Sequence, residues 1–568
     1  MTIPHFTWEN YERDFADRHL LHGVVAKWAR ERPNQAAIIE FDTGREVTYR
    51  QFDDQTTALA LRLIEWGYRP GDYLATLLPL TVEHIFLEYA CFKIGAIHAP
   101  LDMRLKPDEV VRSLDLIQAK GLILPGRTPA ADFTPIAEAV RTSCVFVEHL
   151  IQCCDVAHCT TGAISAVAIF EVGPETRGNP TLIQRYEETT NRILPTDGAQ
   201  VIYTTGSTGF PKPALLSHRN ITVQNLCLAG GCGWFDVRRI LVNLPPSHVG
   251  CQGEELMTTF FTGGTAVILS RFDPEKSLQA IERYNVESMG QIPSMFQMQW
   301  QLPNFAAYDL SSLHSGMFGG QQVTRPFVER LCATLPIVAT GLGMTEMAGF
   351  VTYTGLTNDV DYLVNGVGWP MPITPLSIRQ PMKPDGSAGE ELPTGETGEI
   401  CVAGPQVFIA YVGNPEAYRQ TVSSDGFCYT GDLGYLNDRG LVLAGRSKLV
   451  IKPKGFQVHP AQVEQHFAQL DTEVAACAAV GQMHDLFGEA IVLFVVPYAG
   501  RELSRARLEV HAQSIASYMR PAHYVLLEPG TLPLNRVGKS DYVRLKQMAA
   551  VEIERLRSLG HWDCRPIL

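Results

Sequence analysis

Helical and extended periodicities take turns along this chain, and that alternation constrains its fold more than any other feature. Leu21, Val24, Val25 and Trp28 fall at i, i+3, i+4 and i+7, one face of an amphipathic helix that must stop before Pro33. An apolar run from Ala36 to Phe41 follows, short enough for a strand. Thr48, with Gln51 three residues on, forms a capping-box pattern ahead of a helical stretch through Trp66, and Gly67 sits where a C-cap belongs. Tyr73 to Leu78 predicts the next strand. The rhythm returns at Ile240 to Leu244, at Thr265 to Leu269, in a helix from Pro274 through Tyr284, and in the apolar entry into Gln291. Strands separated by helices pair in parallel and are covered on their faces. The expected fold is therefore α/β, with ligands gathered where loops leave the carboxyl ends of strands.

At 568 residues the chain exceeds the size at which one hydrophobic core stops growing, so several subdomains are expected. The stretch from Pro381 to Gly398, dense in proline, glycine and acidic residues, predicts exposed turns between β elements. A better boundary is Gly445-Arg446-Ser447-Lys448, after which helix and strand patterns restart at Ala461 to Leu470 and Ala490 to Val496. This divides the chain into a large unit, 1–446, and a small one, 447–568. The net charge of -13 argues against nonspecific binding to nucleic acid or anionic membranes, so any nucleotide site must be locally basic. The amino terminus lacks the basic-then-apolar pattern of a signal peptide, and no stretch approaches 18 uninterrupted apolar residues, which predicts a cytoplasmic protein. Thirteen cysteines without repeated spacing suit a reducing compartment. Cys153, Cys154, His158 and Cys159 lie close enough to suggest zinc, but match no standard zinc module, and loop or buried thiols are the default.

Residues 203 to 212 read Tyr-Thr-Thr-Gly-Ser-Thr-Gly-Phe-Pro-Lys. Gly206 and Gly209 permit backbone conformations that turn consecutive N–H groups inward; the hydroxyls of Thr204, Thr205, Ser207 and Thr208 add donors, and Lys212 adds a mobile positive charge. The segment has the makings of a triphosphate cradle. It is not the common phosphate loop, whose lysine directly follows a glycine, because Phe210 and Pro211 intervene.

The segment resembles the phosphate loop of the AMP-forming adenylating superfamily, which comprises acid:CoA ligases, firefly-type luciferases and nonribosomal peptide adenylation domains. Other motifs follow in that family's order. Gly341-Leu342-Gly343-Met344-Thr345-Glu346 resembles the YGxTE segment, which implies that it flanks adenine, that Thr345 meets the α-phosphate, and that Glu346 holds Mg2+. Leu342 departs from the usual aromatic residue, and the lost stacking on adenine is expected to weaken ATP binding by roughly 1 kcal/mol. Tyr429-Thr430-Gly431-Asp432 resembles the TGD motif, implying that Asp432 accepts from both ribose hydroxyls; the alternative is a turn residue in a β-hairpin. Arg446 matches an arginine that also reaches the ribose, and Lys448 matches the hinge position. The stretch from Ile451 through Lys452 and Gly455 to Val458 resembles the segment that faces the site after domain rotation, where Gly455 would line the tunnel for the pantetheine of CoA. Leu532 to Lys539 resembles the carboxyl-terminal motif whose lysine, here Lys539, bridges the substrate carboxylate and the α-phosphate.

The resemblance covers nearly the whole chain and implies a large amino-terminal domain with a β subdomain, plus a small mobile α+β carboxyl-terminal domain. It also implies a two-step reaction: a carboxylate attacks ATP to give acyl-AMP and pyrophosphate, then a thiol displaces AMP. Lys539, Lys212, the loop amides and Mg2+ would offset the repulsion of two anions.

For the acid itself, Leu244 to Gly250 resembles the stretch bordering the acyl site, with His248 and Gly250 as pocket residues; His248 could equally be a satisfied buried histidine. Peptide-synthetase domains carry an aspartate near here for the amino group of their substrate. This chain has only Glu254 and Glu255, which disfavours an amino acid. Gly319, Gly320 and Gln321, with Met344 and Ala348, match further wall positions, and Ile292 to Met295 lie nearby. Gln321 replaces a usual alanine, and either its side chain contacts the acid or its backbone borders adenine. Fatty, aryl and alicyclic acids remain open. The leading reading is an acid:CoA ligase. The rivals are an adenylation enzyme that loads an acyl carrier protein, a luciferase-like oxidation, and a nucleotide-binding regulator without catalysis.

Overall fold

A computed structural model of the chain describes residues 4–129, 131–204, 211–236, 239–320, 323–446, 449–453, 456, 458–485, 487–535 and 538–562. The expected alternation is realised from the start. The first periodic stretch is a helix, Leu21–Glu31, that buries Val24, Val25 and Trp28. Thr48 and Gln51 close a reciprocal capping box on the helix Tyr49–Glu65, and strands Ala36–Glu40 and Tyr73–Thr76 flank it.

Two large sheets carry most of the molecule. One has seven strands, in the order Val338–Ala339, Ser315–Phe318, Ser288–Gln291, Arg239–Val242, Thr265–Ile268, Ala36–Glu40 and Arg45–Thr48. The other has eight: Ala410–Tyr411, Pro213–Ser217, Gly198–Tyr203, Ile97–Pro100, Tyr73–Thr76, Gly121–Pro125, His149–Cys153 and Ile164–Ser165. Helix-connected strands pair in parallel, as the alternation predicts. Neither sheet is wholly parallel, however. Arg45–Thr48 runs antiparallel on one edge, and Gly198–Tyr203, Pro213–Ser217 and Ala410–Tyr411 form an antiparallel edge on the other. The reason is connection length: the stretch 204–212 is too short to cross over the sheet, so the strands it joins form a hairpin.

Four antiparallel strands, Leu376–Arg379, Gly398–Val402, Cys428–Asn437 and Gly440–Arg446, make a β subdomain, and the Pro- and Gly-rich stretch 381–398 connects the first two. Beyond it a three-stranded sheet of Val474–His484, Gly488–Pro497 and His523–Leu526 carries its own cores. Its central strand is buried on both faces: Ile491, Leu493 and Val495 pack on Val463 and Phe467, whereas Val492 and Phe494 pack on Leu545, Ala549 and Ile553. Each such side chain contributes about 1.5–3 kcal/mol of burial, which makes this small sheet a stable unit for carrying a loop. Among the described residues no helix is long and apolar enough to cross a membrane.

Candidate active site

The motif residues converge between the β subdomain, the seven-stranded sheet and one loop of the small carboxyl-terminal sheet. Asp432 lies inside the strand Cys428–Asn437 rather than at a hairpin turn, directly opposite Arg446 on the next strand. Arg446 Nε donates to Asp432 Oδ1 at 2.8 Å. The preceding Gly431 takes φ +76, a conformation open mainly to glycine, and its N–H donates to Glu399 Oε1 at 3.0 Å. This locks the strand so that the carboxylate meets the guanidinium.

Residues 343 to 350 form a tight hairpin in which Gly343 pairs with Phe350 and Met344 with Gly349. Thr345 and Glu346 occupy its tip, a single 3₁₀ turn. Ala348 closes that turn at φ 57, a left-handed conformation that alanine adopts only when its surroundings enforce it. Glu346 is buried, and the Tyr411 hydroxyl donates to its Oε1. Burial pushes this carboxyl up; the Tyr411 hydrogen bond, its own backbone amide and the charges of Lys212 and Arg446 pull it back. Lys212 itself lies over the Tyr411 ring, 4.9 Å from its centre. The Thr204 N–H donates to the Lys212 carbonyl at 2.9 Å. Thr205, Ser207, Thr208 and Gly209 lie outside the described residues, as does Gln321. Among the described residues no three His, Cys, Asp or Glu side chains gather as a metal cage. The chemistry of the site still fits Mg2+, which is commonly held by one or two carboxylates and the substrate's phosphates.

Lys539 arrives from the small unit. Its loop is pinched by a bridge between Leu534 and Ser540, and Asn535 Oδ1 accepts the Lys539 N–H at 3.0 Å. The side chain crosses to the large unit: a methyl group on Gly320 would stand 3.7 Å from Lys539 Cε. Burial pushes the ammonium down, Arg446 adds to this, and Asp432 and Glu254 oppose it. The lysine therefore stands in the field of both the Asp432–Arg446 pair and Glu254.

The stretch expected to border the acyl site runs into an irregular helix. Residues Gly250–Met257 form a π-helix, every residue of it buried, and such wide turns are frequent at functional sites. His248 precedes it, and its Nδ1 accepts the Gly250 N–H at 3.0 Å, so the neutral ring carries its proton on Nε2. Burial pushes His248 down to about 4, aided by the Lys539 charge and opposed by Asp102. Glu254 and Glu255 are both buried. Burial raises Glu254 to about 7, with Lys539 and the Phe350 amide opposing. Glu255 is raised well above the usual range by burial and by its neighbour. The Phe350 ring lies against three motif glycines: methyl groups on Gly319, Gly341 and Gly343 would stand 2.7, 3.1 and 2.5 Å from it. Leu342 is packed in the main core, so little of its apolar face is left for adenine.

Lys452 is exposed, and its backbone N–H donates to Glu489; Gly455 lies outside the described residues. The structure thus brings Lys539 to Gly320 and into the field of Asp432 and Arg446. Beside the acyl pocket, at the carboxyl ends of strands, opens a cleft of about 1730 Å³ that reaches Ser247 and carries Arg104, Arg127 and Arg271 on its wall. Cys154 and Cys159 also line it, with thiols 3.2 Å apart, consistent with the reading of loop thiols. Sequence reasoning did not find Tyr411, Phe350 or an inward-facing Glu254, because none belongs to a local motif.

The AMP-binding enzyme family model matches residues 25–412, and the AMP-binding enzyme C-terminal domain matches 462–539. A feruloyl-CoA synthase from Amycolatopsis sp is 30% identical over 84% of this chain and 88% of its own length. A fatty acid–[acyl-carrier-protein] ligase, ScoC of Streptomyces coeruleorubidus, is 26% identical over 90% of this chain and 93% of its own. The ATP-bound MatB structure from Rhodopseudomonas palustris superposes with a TM-score of 0.76 at 22% identity, covering 93% of this chain and 98% of that one. With the family model spanning most of the chain, the protein belongs to the AMP-binding enzymes, the AMP-forming adenylating superfamily.

Proposed function

We propose that the protein is an ATP-dependent, AMP-forming carboxylic acid:CoA ligase acting through an acyl-adenylate on a fatty, aryl or alicyclic acid. The observation that carries this reading is the placement of Lys539 over Gly320, within the fields of Asp432 and Glu254. An ammonium there meets a carboxylate entering from the acyl pocket and the α-phosphate of a nucleotide whose ribose lies on Asp432 and Arg446. A carboxylate oxygen bonds to the α-phosphorus, the bond from phosphorus to the bridging oxygen breaks, and pyrophosphate leaves. Lys539 and Thr345 stabilise the charge that develops at phosphorus, and Lys212 stays with the departing pyrophosphate. Glu346 would hold Mg2+, which would supply charge neutralisation at the phosphates.

In the second step the sulfur of CoA bonds to the acyl carbon and AMP departs. We place the domain boundary at 446/447, with Lys448 as the hinge residue, and assign Lys452 and Gly455 to this step, after the small domain turns. A cytoplasmic location fits the supply of ATP and CoA.

The likeness to ScoC supports a second reading, in which the acyl group passes to a carrier protein. ATP–pyrophosphate exchange across fatty, aryl and alicyclic acids, followed by incubation of the adenylate with CoA or a holo-carrier protein, tests both. Exchange with thioester on CoA is expected; thioester on the carrier alone would favour the second reading. No exchange with any acid would defeat both.

A further inference from the structure

Cys154 and Cys159 stand away from the nucleotide motifs with their sulfur atoms 3.2 Å apart, within a small side-chain movement of the roughly 2.05 Å of a disulfide bond. Local structure enforces this approach. The two residues flank a single 3₁₀ turn, Val156–His158, in which the His158 N–H donates to the Asp155 carbonyl at 2.8 Å. The buried Gln152 ties down both arms: its carbonyl accepts the Cys154 N–H at 3.0 Å, and its side-chain Oε1 accepts the Thr160 N–H at 2.6 Å. The Ser165 hydroxyl donates to the Cys154 carbonyl at 2.7 Å. Gly126 leaves room for the thiol, since a methyl group there would stand 2.9 Å from Cys154 Cβ and 3.1 Å from its Sγ.

Two thiols so placed could share a metal or join to each other. A structural zinc site takes four ligands, and among the described residues no third Cys, His, Asp or Glu gathers with the pair. Access sets the pair apart from most of the other described cysteines. Cys91, Cys227 and Cys251 are buried, whereas Cys154 and Cys159 are half-buried and line the open cleft of about 1730 Å³, where a small oxidant can reach them. Burial and the contact with Cys159 push the Cys154 thiol up to about 12, which leaves the first attack on an oxidant to Cys159.

We infer that Cys154 and Cys159 are an oxidation site, a dithiol that closes reversibly to an intrachain disulfide on the wall of the cleft. With a small disulfide such as oxidised glutathione as the oxidant, the Cys159 sulfur bonds to one glutathione sulfur, the glutathione S–S bond breaks, and the first glutathione leaves with the Cys159 proton. The Cys154 sulfur then bonds to that of Cys159 and displaces the second glutathione, which takes the Cys154 proton. The pair loses two electrons and two protons, and one oxidised glutathione becomes two reduced ones. No nucleotide residue takes part, so the bridge does not depend on the ligase reading. In a reducing compartment such a bridge is a state entered under oxidising conditions, not a fixed part of the fold.

The test maps thiols in the full wild-type chain. The protein is incubated with oxidised glutathione, unfolded in urea with N-ethylmaleimide, reduced, and labelled with iodoacetamide, and tandem mass spectrometry locates each label. Cys154 and Cys159 should carry the second label together in at least about half of the molecules, with no glutathione retained before reduction. Dithiothreitol before the first label should return both to N-ethylmaleimide. In Cys154→Ser, Cys159 should instead retain one glutathione, and in Cys159→Ser, Cys154 should take N-ethylmaleimide. A wild-type Cys154 and Cys159 that stay open to the first label, a bridge that uses Cys153, or a bridge between two chains on a nonreducing denaturing gel would each overturn the inference. So would a Cys154 that stays shielded in Cys159→Ser. The wild-type map needs no substitution, so a variant that fails to fold cannot decide the outcome.

Discussion

Asp432 and Arg446 face each other as a registered pair across two antiparallel strands, joined by an Nε–Oδ1 hydrogen bond of 2.8 Å. The guanidinium holds the carboxylate in one orientation, and a carboxylate can still accept from two ribose hydroxyls. Asp432→Ala should therefore raise KM for ATP about 10- to 100-fold, the worth of one or two charge-assisted hydrogen bonds. Stability should change little, because Arg446 is about half exposed and partly exposed pairs contribute roughly 1 kcal/mol or less. An ATP titration of pyrophosphate exchange, run beside thermal melting, checks both. An unchanged KM would remove Asp432 from the nucleotide site.

Lys539 reaches the site only through the small unit, so its loss should divide the two half-reactions. Lys539→Ala is expected to slow adenylation roughly a hundredfold or more, the cost of removing about 3 kcal/mol of transition-state stabilisation. Attack of CoA on supplied acyl-AMP should stay within a few fold. Gly455→Leu should do the reverse, sparing exchange and obstructing thioester formation. Equal loss of both steps in Lys539→Ala would contradict the division of labour.

Much of this site is readable as short strings because the nucleotide imposes local requirements. Thr345, Glu346, Asp432, Arg446 and Lys539 each sit in a loop or strand segment whose neighbours fix the backbone, so each carries its motif with it. The acyl pocket is different. Gln224 lies mid-helix between Val223 and Asn225, and only the fold brings it to Gly349, 125 residues on. The π-helix at Gly250–Met257 has no periodicity that a helical count would detect, and it turns Glu254 and Glu255 inward together. The antiparallel sheet edges follow from short connections rather than from strand composition. Tyr411 bonds to Glu346 from a two-residue strand too short to announce itself.

That Tyr411 contact makes a pH prediction. Burial raises the Glu346 carboxyl and the Tyr411 hydrogen bond lowers it, so Tyr411→Phe should let it rise further. The proton is then held to higher pH and competes better with Mg2+. The acid limb of kcat/KM for ATP should move upward, and the Mg2+ concentration giving half-maximal rate should increase several-fold. A limb at the wild-type pH would mean that Glu346 does not carry the metal.

Glu254 predicts how stability responds to pH. Its ordinary value of 4.5 rises to about 7 in the fold because burial penalises the charged form. Between those values the unfolded chain releases a proton that the native state keeps, so stability falls as pH rises through this window. Glu254→Gln lacks that loss. The stability of the variant relative to wild type should therefore grow from pH 5 to pH 8, by on the order of 2 kcal/mol. Urea unfolding at both pH values measures it, and a difference independent of pH would contradict the raised carboxyl.

Phe350 packs against the glycines of two motif segments. Its ring is buried against Gly319, Gly341 and Gly343, where any added side chain would collide with it. Phe350→Ala should cost about 3–5 kcal/mol of stability through lost packing. The space it opens lies beside the motif glycines, on the route from Lys539 to Glu254, so bulkier acids should gain most. In exchange assays the kcat/KM of a branched or polycyclic acid relative to a slim one is expected to rise at least tenfold in the variant. A lowered melting temperature with an unaltered acid preference would make Phe350 a core residue that supports the hairpin of residues 343 to 350 without touching the substrate.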